Sequence, residues 1–439
     1  MADYLVTDSE LTSIADAIRT KGGTSASLAF PSAFVSAIED IPTGGGGAEL
    51  DGIIDRTISS ITNSTVSKIG ENAFAQCYSL TYADFQTTTS ISNAAFMYCY
   101  SLQTISFPNV ENIGSSAFAN CNSLQSAVFP KATLVGGSAF NNCKGLSAVS
   151  FPSLTQINNY AFYGCSSLSD LYFPKVSSIM SNVFYSCYLI QRVDHVVFPS
   201  LTYIGSSAFR YCRGLTEVSA SKITDIEPSA FANCSSLSSV SLPALKLIPS
   251  GCFVSCSQLA NVYTPSASFV GSYAFSGCGS LVSINLPSVR SVSTGAFYFC
   301  SNLQQVSLPS ATTIYPTAFY WCSSLSQITF NNYMMISMNA FSSCINLHTV
   351  VFNSGVTFSS SAFQYCYRLL SVYLYGSSVA AFAQGASFAN VFFSTPLTSN
   401  TTYTEGQYGT VYVPSSLYDS YCSARYWSVY SSRIASIPE

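Results

Sequence analysis

A phenylalanine followed three residues later by a cysteine recurs fourteen times in this 439-residue chain. Leu follows each of these cysteines by three residues, with Ile190 as the one substitute, and Ala precedes the Phe in twelve copies. A fixed period of this length is typical of a solenoid, whose coils pack only on their neighbours. Successive cysteines are 22 residues apart except for one step of 25, and they are Cys77, Cys99, Cys121, Cys143, Cys165, Cys187, Cys212, Cys234, Cys256, Cys278, Cys300, Cys322, Cys344 and Cys366.

Each copy predicts a short strand, a turn and a helical piece. Ala127 and Phe129 have the two-residue period of a strand, which Pro130 ends because it lacks a backbone donor. The spacing of three and four in Ala-Phe-x-x-Cys-x-x-Leu suits a short helical turn. The sequence therefore predicts an α/β repeat, a leucine-rich-repeat solenoid of about 14 coils of 22 residues with short parallel strands, over residues 66–375.

The repeated unit Leu-x-x-Ile-x-x-x-Ala-Phe-x-x-Cys-x-x-Leu-x-x-Val-x-(Phe/Leu)-Pro resembles the BspA-like class of leucine-rich repeats. The resemblance covers about residues 66–375. Members of this class are bacterial surface proteins, protist proteins and phage-encoded proteins. The resemblance implies adhesion or protein binding, and it brings no catalytic residues with it.

Residues 1–43 stand outside the repeat and predict a small helical module, with Thr7-x-x-Glu10 as a candidate capping box. Residues 44–65 form a linker and N-terminal cap that opens with Gly44–Gly47. The module resembles leader segments of virion and prophage structural proteins of gut Firmicutes phages. This resemblance implies an anchoring module that contacts a virion protein, and a helical cap for the solenoid is the alternative.

Residues 376–439 also depart from the repeat and are similar to C-terminal caps of the same family. Gly409 to Pro414 predicts a short strand closed by proline. A cap at this end would hide an open sheet edge. The following segment, 415–430, predicts a helix with an apolar stripe of Leu417, Tyr421, Ala424 and Trp427.

The 25-residue step contains an insertion, Asp194-His195-Val196, before the strand-ending Phe198-Pro199. Inserted residues in a solenoid form a bulge or loop, and such loops often lie on a binding face. Neutral drift is the more common origin of such an insertion, so we favour it over a binding role, and both interpretations stay open.

The chemistry of the chain argues against an enzyme. His195 and His348 are the only histidines, and they lie about seven coils apart, too far to share a site. The cysteines lack the paired C-x-x-C spacing of zinc sites. We therefore predict no catalytic residues, no metal and no cofactor.

Charge and hydropathy set further limits. Charged residues make up 8% of the chain and the net charge is −4, without a basic cluster, so we predict no nucleic-acid partner. No run of about 18 apolar residues occurs, so we predict no membrane insertion. The N-terminus lacks the basic start and apolar region of a secretory signal peptide. We expect a virion or cell-surface location, or the cytoplasm before particle release.

The cysteine column raises the question of disulfides. Stacked Cα atoms at about 4.8 Å would be close enough, but parallel side chains hold the Cβ atoms near that same distance, beyond the roughly 3.8 Å a disulfide prefers. We therefore predict that each of these cysteines is a small buried apolar residue.

An excess of tyrosine surrounds the cysteines. Of the 42 positions two before, one before and one after each of them, eleven are Tyr, whereas 29 Tyr in 439 residues predicts about three. Tyrosine is frequent in recognition surfaces, but it would also shield the ledge between coils. The aromatic residues that we predict to bind ligand, the first four of which should stack, are Tyr298, Phe299, Tyr320, Trp321, Tyr365 and Tyr367.

These features predict a non-enzymatic recognition protein. The leading hypothesis is a phage tail-associated protein that binds a host-surface glycan or protein through the solenoid. A bacterial surface adhesin of the same repeat class is the alternative. A purely structural spacer is disfavoured by the aromatic excess. The exposed positions of the strands are mostly Ser, Gln and Thr, and the sequence does not decide which face of the solenoid binds.

Overall fold

The computed structural model describes residues 49–50, 58–194, 196–398 and 408–437. The predicted helical module of residues 1–43, most of the linker and His195 lie outside this part of the chain. The chain divides into two compact units, Met1–Val176 and Ser177–Glu439. In both units the described residues form stacked coils with parallel strands, which confirms the predicted solenoid.

Each regular coil contains two strands, which we call A and B. Strand A follows the Leu that lies three residues after the repeated Cys, and strand B follows the proline that ends strand A. In the first unit the A strands are Ser60–Asn63, Tyr82–Phe85, Thr104–Ser106, Ser126–Val128, Ala148–Ser150 and Asp170–Tyr172. The B strands there are Glu49–Leu50, Lys68–Ile69, Ser90–Ile91, Asn112–Ile113, Leu134–Val135 and Gln156–Ile157.

The second unit repeats this arrangement. Its A strands are Arg192–Asp194, Glu217–Ser219, Ser239–Ser241, Asn261–Tyr263, Ser283–Asn285, Gln305–Ser307, Gln327–Phe330, Thr349–Phe352, Ser371–Leu374, Thr410–Val413 and Ile434–Ser436. Its B strands are Ser178–Ile179, Tyr203–Ile204, Asp225–Ile226, Phe269–Val270, Ser291–Val292, Thr313–Ile314, Met334–Ile336, Val356–Phe358 and Ala381–Phe382. Paired residues are one repeat apart, as in Gln327 opposite Thr349, so equivalent side chains stack in columns.

The Ala-Phe-x-x-Cys-x-x-Leu segment is not the predicted helical turn. In the Cys300 coil, N–H groups of Tyr298, Cys300 and Leu303 each donate to the carbonyl three residues earlier, which makes consecutive tight turns. Residues five and one before the cysteine have positive φ in all fourteen coils, for example Gly295 at 62° and Phe299 at 58°. Residues with left-handed backbone interrupt an α-helix. Consecutive tight turns produce the same spacing of three and four between apolar residues, which is why the sequence pattern suggested a helix.

Neighbouring coils are joined through these same turns. The N–H groups of Gly295, Phe297 and Phe299 donate to carbonyls of the following coil at 2.7 to 3.1 Å. Alternate residues of the turn segment therefore hydrogen-bond between coils, as residues of a strand do. This pairing satisfies backbone groups that would otherwise be buried without partners.

Columns of apolar side chains fill the interior. We call the fourteen regularly spaced cysteines, Cys77 to Cys366, the ladder cysteines. The phenylalanine three residues before each of them stacks on its equivalent in the adjacent coil. Ring centroids are 4.9 to 5.2 Å apart in the first unit and 5.0 to 5.7 Å apart in the second. All fourteen ladder cysteines are free thiols with at most 1% exposure, as we predicted. In addition, the Sγ atoms of twelve of them donate to the Phe carbonyl of the preceding coil, as in Cys300 to Phe275 at 3.0 Å.

Hydrogen bonds join Asp194 to the residues that follow His195. One carboxylate oxygen of Asp194 accepts hydrogen bonds from the N–H groups of Val196 and Val197 at 2.9 and 3.0 Å, and the Asp194 carbonyl accepts from Phe198 at 2.8 Å. Asp194 is buried, and Arg192 lies 3.4 Å from its other oxygen. Asp194 is therefore hydrogen-bonded to Val196, Val197 and Phe198, and the pairing of Arg192–Asp194 with Glu217–Ser219 is intact.

The C-terminal segment continues the stack of coils, although its sequence does not follow the 22-residue repeat. Phe392 stacks on Phe363 at 5.7 Å, and the buried Thr395 follows it by three residues, as each ladder cysteine follows its Phe. The predicted strand is present as Thr410–Val413, and the helical part is divided into Tyr418–Ser423 and two 3-10 turns, Ser415–Leu417 and Ser428–Arg433. One further helix spans Phe388–Val391.

Two buried aromatic residues hold this segment in place. The Tyr421 hydroxyl accepts from the Ala380 N–H at 2.8 Å, and the Trp427 indole donates to the Ala380 carbonyl at 3.0 Å. Both side chains are 1% exposed, while Leu417 and Ala424 of the predicted stripe are half-buried. None of the helices in the described ranges has the length and apolar character needed to cross a membrane.

Candidate recognition surface

The variable residues beside each ladder cysteine form columns on the outside of the turn segment. We number these positions from the cysteine, so that Phe299 is at −1 and Tyr298 at −2 of Cys300. The −1 residue is left-handed in every coil, yet only two of the fourteen are glycine. Its N–H is held by the next coil, as from Phe299 to the Tyr320 carbonyl at 3.0 Å, so the backbone rather than the side chain fixes this conformation.

The first four predicted site residues stack as expected. Tyr298 lies on Tyr320 with ring centroids 5.1 Å apart and planes 10° apart. Phe299 lies on Trp321 at 5.4 Å and 29°, and Tyr298 meets Phe299 edge to face at 4.7 Å. Phe299 and Trp321 are 43% and 44% exposed, whereas Tyr298 and Tyr320 are half-buried. The four rings form one continuous block, which we call the aromatic block.

Tyr365 and Tyr367 lie farther along the same side. Their rings are 6.1 Å apart, and Tyr365 also contacts Phe393 at 5.9 Å. No ring contact joins either tyrosine to the aromatic block within the described residues, because the intervening coil carries Ser342 and Ser343 at −2 and −1. The six predicted residues therefore form two groups, and Phe393, which is 49% exposed, extends the second group.

Phe393 was missed because it lies beyond the 22-residue register. Its signal in the sequence is indirect: Phe392 takes the position of the ladder phenylalanines, and Phe393 is the residue that follows it. The hydrogen bond from the Tyr365 N–H to the Phe393 carbonyl at 3.0 Å places Phe393 in the −2 column.

The aromatic block lies in a stretch of sequence without charged residues, whereas the exposed Arg368 directly follows Tyr367. Between Arg290 and Arg368 the sequence contains no Asp, Glu, Lys or Arg. The exposed His348 also lies in this stretch, directly before the A strand Thr349–Phe352. A ligand bound at the aromatic block would therefore meet aromatic rings, hydroxyls and amides rather than charged groups, which suits a neutral ligand.

The strand side of the same coils carries a groove of about 520 Å³. It lies over three neighbouring A strands and contains no charged side chain. Its polar lining residues are Ser283, Asn285, Gln305, Ser307, Gln327, Thr329 and Asn331. This groove is the other candidate face, and it lacks aromatic residues.

A second cluster of aromatic residues lies near the insertion. Tyr185 meets Tyr211 edge to face at 5.4 Å, the Arg210 guanidinium lies 5.2 Å from the Tyr211 ring centre, and Arg213 lies 5.5 Å from that of Tyr188. These cations occupy the ring faces that a neutral ligand would use. In the ranges that the structure describes, no group of three His, Cys, Asp or Glu residues could hold a metal ion.

Comparison with known sequences and structures identifies the family. Three solved structures are similar to this chain: a leucine-rich repeat protein from Bacteroides ovatus (29% identity, 62% of this chain and 79% of that chain, TM-score 0.48), a leucine-rich cell surface protein from Faecalibacterium prausnitzii (24%, 63% and 79%, 0.39) and a leucine-rich repeat protein from T. pallidum (29%, 36% and 77%, 0.33). Among curated proteins, none matches this sequence.

The sequence also matches the BspA type leucine-rich repeat region, over residues 56–147, 133–260, 188–288 and 246–370. Together these overlapping segments span more than half of the chain. They coincide with the coils in which the Phe and Cys columns are continuous within each unit. The chain therefore belongs to the BspA-type leucine-rich repeat family.

Proposed function

We propose that this chain is a non-enzymatic recognition protein that binds a neutral host-surface glycan or protein through its exposed aromatic residues. The observation that carries the proposal is the aromatic block, where Phe299 and Trp321 stack on each other and remain 43% and 44% exposed. Leucine-rich-repeat solenoids serve generally as interaction scaffolds rather than enzymes.

The energetic argument favours a binding role. Exposing large apolar rings costs free energy, about 25 cal/mol per Å² of apolar surface left in water. Trp321, Phe299, Tyr365 and Tyr367 all remain between 36% and 47% exposed within one face of a few coils. Clusters of rigid aromatic side chains lose little conformational entropy when they bind, and they are enriched at binding sites.

Neutral glycans fit this surface better than charged ligands. The stretch between Arg290 and Arg368 offers no ion-pairing group. The ring faces can pack on the C–H groups of a sugar because aromatic faces carry partial negative charge. The tyrosine hydroxyls can hydrogen-bond to the sugar hydroxyls. A protein partner with an uncharged surface is the second possibility.

The biological setting of the proposal rests on the resemblance of residues 1–43 to phage leader segments. In this proposal the protein is associated with a phage tail, residues 1–43 contact a virion protein, and the solenoid meets the host cell. A bacterial surface adhesin is the alternative setting. Mass spectrometry of purified phage particles and the presence of neighbouring tail genes would distinguish the two.

The test is binding of the purified full chain to host cells and to a glycan array. The site variant replaces all six predicted residues by Ala: Tyr298, Phe299, Tyr320, Trp321, Tyr365 and Tyr367. The matched control replaces Tyr78 and Tyr100, an exposed pair that stacks at 5.4 Å in the first unit. A third variant, Gln305→Ala with Gln327→Ala, alters the strand-side groove.

We expect the site variant to lose binding while the other two variants keep it. Far-UV circular dichroism of all variants checks that the solenoid is intact. Loss of binding only in the groove variant would assign recognition to the strand side. A wild-type chain that binds neither cells nor glycans, while other parts of the particle do, would contradict the proposal.

A further inference from the structure

The coil that contains Cys212 carries an arginine on each side of its ladder cysteine. Arg210 is at −2 and Arg213 is at +1, and the preceding coil carries Tyr185 and Tyr188 at the same two positions. Backbone hydrogen bonds between the two turn segments keep these coils in register. Each arginine therefore has a tyrosine as its neighbour in the column.

Tyrosine rings hold both guanidinium groups. The guanidinium carbon of Arg210 lies 5.2 Å from the ring centre of Tyr211, and that of Arg213 lies 5.5 Å from the ring centre of Tyr188. A cation within about 6 Å of a ring centre is attracted to the negative face of the ring. The two arginine side chains are thus already oriented by packing, and they have less conformational freedom to lose when a ligand binds.

The positive charge of the two arginines is not neutralised by the protein. Neither Arg210 nor Arg213 forms an ion pair with any residue that the structure describes. The Arg210 Nε is buried and has no hydrogen-bond partner there, which is uncommon for a buried donor. Glu217, the acidic residue of the same coil, lies on the A strand, in register with Arg192.

The turn side of the second unit carries charges of one sign. At the −2, −1, +1 and +2 positions of its nine ladder cysteines, the charged residues are Arg210, Arg213 and Arg368, and none is acidic. The nearest carboxylates of the next coil, Asp225 and Glu227, lie in and directly after a B strand instead. An anion that approaches the two neighbouring arginines therefore meets no like charge on the turn side.

The side chains around the arginines suit an acidic sugar. A guanidinium group donates two parallel hydrogen bonds to a carboxylate, sulfate or phosphate. Phenol hydroxyls can donate to or accept from sugar hydroxyls. Leu189, which is 51% exposed, offers an apolar contact to sugar C–H groups. The tyrosines of the cluster are Tyr185, Tyr188 and Tyr211.

An acidic peptide fits this surface less well. A run of Asp or Glu residues needs a row of cations, whereas only one coil of the cluster is charged. The next coil carries Ala232, Asn233 and Ser235 at the equivalent positions. The two arginines match the single anionic group of one sugar.

We propose that Arg210, Arg213 and the tyrosines around them form a second binding site, which takes the anionic group of an acidic glycan. A carboxylate, sulfate or phosphate accepts hydrogen bonds from the two guanidinium groups, and the sugar ring packs beside Leu189. The site lies four coils from the aromatic block, roughly 19 Å at the usual spacing of parallel strands. It goes beyond the proposed function, which concerns a neutral ligand at the aromatic block.

Arginine-specific labelling locates the site in the unmodified full chain. Phenylglyoxal reacts with guanidinium groups, and peptide mapping by mass spectrometry gives the rate at each arginine. The exposed Arg290 and Arg368 serve as internal references for the exposed Arg213. The probes are a galacturonic acid hexasaccharide, a heparin-derived hexasaccharide and mannose 6-phosphate, with cellohexaose as the neutral sugar and hexaglutamate as the acidic peptide.

We expect at least one acidic glycan to slow the labelling of Arg213 but not of Arg290 or Arg368. At a concentration about ten times the Kd, labelling should slow about tenfold. The most effective of the three acidic probes identifies the anionic group as carboxylate, sulfate or phosphate. Failure of every acidic glycan at millimolar concentration would overturn the inference, as would stronger protection by cellohexaose or by hexaglutamate.

A pair of double variants separates this site from the net charge of the chain. Arg210→Gln with Arg213→Gln removes both cations of the site. The matched control, Lys246→Gln with Arg290→Gln, removes the same charge from exposed positions in the same unit. Melting temperatures show whether the coils remain folded.

The affinity for the acidic glycan should fall about tenfold or more in the Arg210 and Arg213 variant, which corresponds to about 1.4 kcal/mol. The control should keep the wild-type affinity. An equal loss in both double variants would mean that net charge alone attracts the glycan, and it would refute the site.

The outcomes also distinguish this inference from the proposed function. The six-residue variant of the proposed function should still show protection of Arg213 by the acidic glycan. If no acidic glycan protects Arg213 while that variant loses host binding, the second site is wrong and the proposed function stands. If Arg213 is protected but the wild type binds neither host cells nor neutral glycans, the second site stands and the proposed function is wrong.

Discussion

The stacked phenylalanines predict a measurable coupling between neighbouring coils. Phe319 is fully buried, and its ring lies 5.0 Å from both Phe297 and Phe341, with interplanar angles of 8° and 4°. A stacked pair contributes about 0.5–1.5 kcal/mol beyond the area it buries. Phe319→Leu removes two such pairs, so its cost should be about 1–3 kcal/mol from stacking alone.

A double-mutant cycle isolates one of these pairs. Phe297→Leu and Phe319→Leu should couple by about 0.5–1.5 kcal/mol, because each single variant already breaks their shared stack. The matched control is Phe297→Leu with Phe341→Leu, two coils apart. These two rings have no direct contact, so their effects should add within about 0.5 kcal/mol.

Urea unfolding followed by far-UV circular dichroism gives the free energies of unfolding. Repeat arrays can depart from two-state behaviour, so the calorimetric and van't Hoff enthalpies should be compared for each variant. Equal coupling in the adjacent and the separated pairs would refute the reasoning. It would mean that strain spreads through the array rather than through ring contacts.

Three further predictions test other parts of the structure. Iodoacetamide should label one thiol in the native chain, the half-buried Cys422, and all sixteen after denaturation; labelling of several native thiols would contradict the buried column. Burial raises the pKa of Cys256 and Cys300 to about 12 from an ordinary 9.0, so their contribution to stability is complete below pH 9.0 and lost as pH rises toward 12. The urea midpoint should therefore be lower at pH 10 than at pH 7, and an unchanged midpoint would count against this. Asp194→Ala should cost about 1–3 kcal/mol because two N–H groups lose their acceptor, whereas Asp194→Asn should cost less, since the Asn63 side chain accepts two equivalent bonds. Equal urea midpoints for the two variants would show that the side-chain oxygen of residue 194 does not contribute through its bonds to Val196 and Val197.

The interior of the fold could be predicted from the sequence because its columns are defined by identity. Phe, Cys and Leu recur at fixed offsets, and a parallel stack places equivalent residues on one another. The local backbone was harder to predict. A spacing of three and four fits a helix and consecutive tight turns equally well, and only the left-handed residues at −5 and −1 distinguish them. Residues such as Ser116 and Asn120 give a weak signal for this conformation.

The B strands were missed for a related reason. Strands such as Ser291–Val292 are two residues long, too short for an alternating pattern to appear. They exist because the adjacent coils pair with them, which is a property of the array and not of the segment.

The candidate surface was predictable in part. The stacking of Tyr298 on Tyr320 and of Phe299 on Trp321 follows from their equivalent positions in adjacent coils.

The left-handed −1 position has a consequence for how such a protein can change over time. Because the next coil fixes this backbone, the position accepts Gln, Asn, Ser, Gly, Tyr, Phe and Trp in different coils. The outward side chain at this position can therefore change in any coil without a change in the buried columns that keep the array folded. Under the proposed function, binding specificity and folding depend on separate sets of residues, so the first can diversify quickly while the second is held constant.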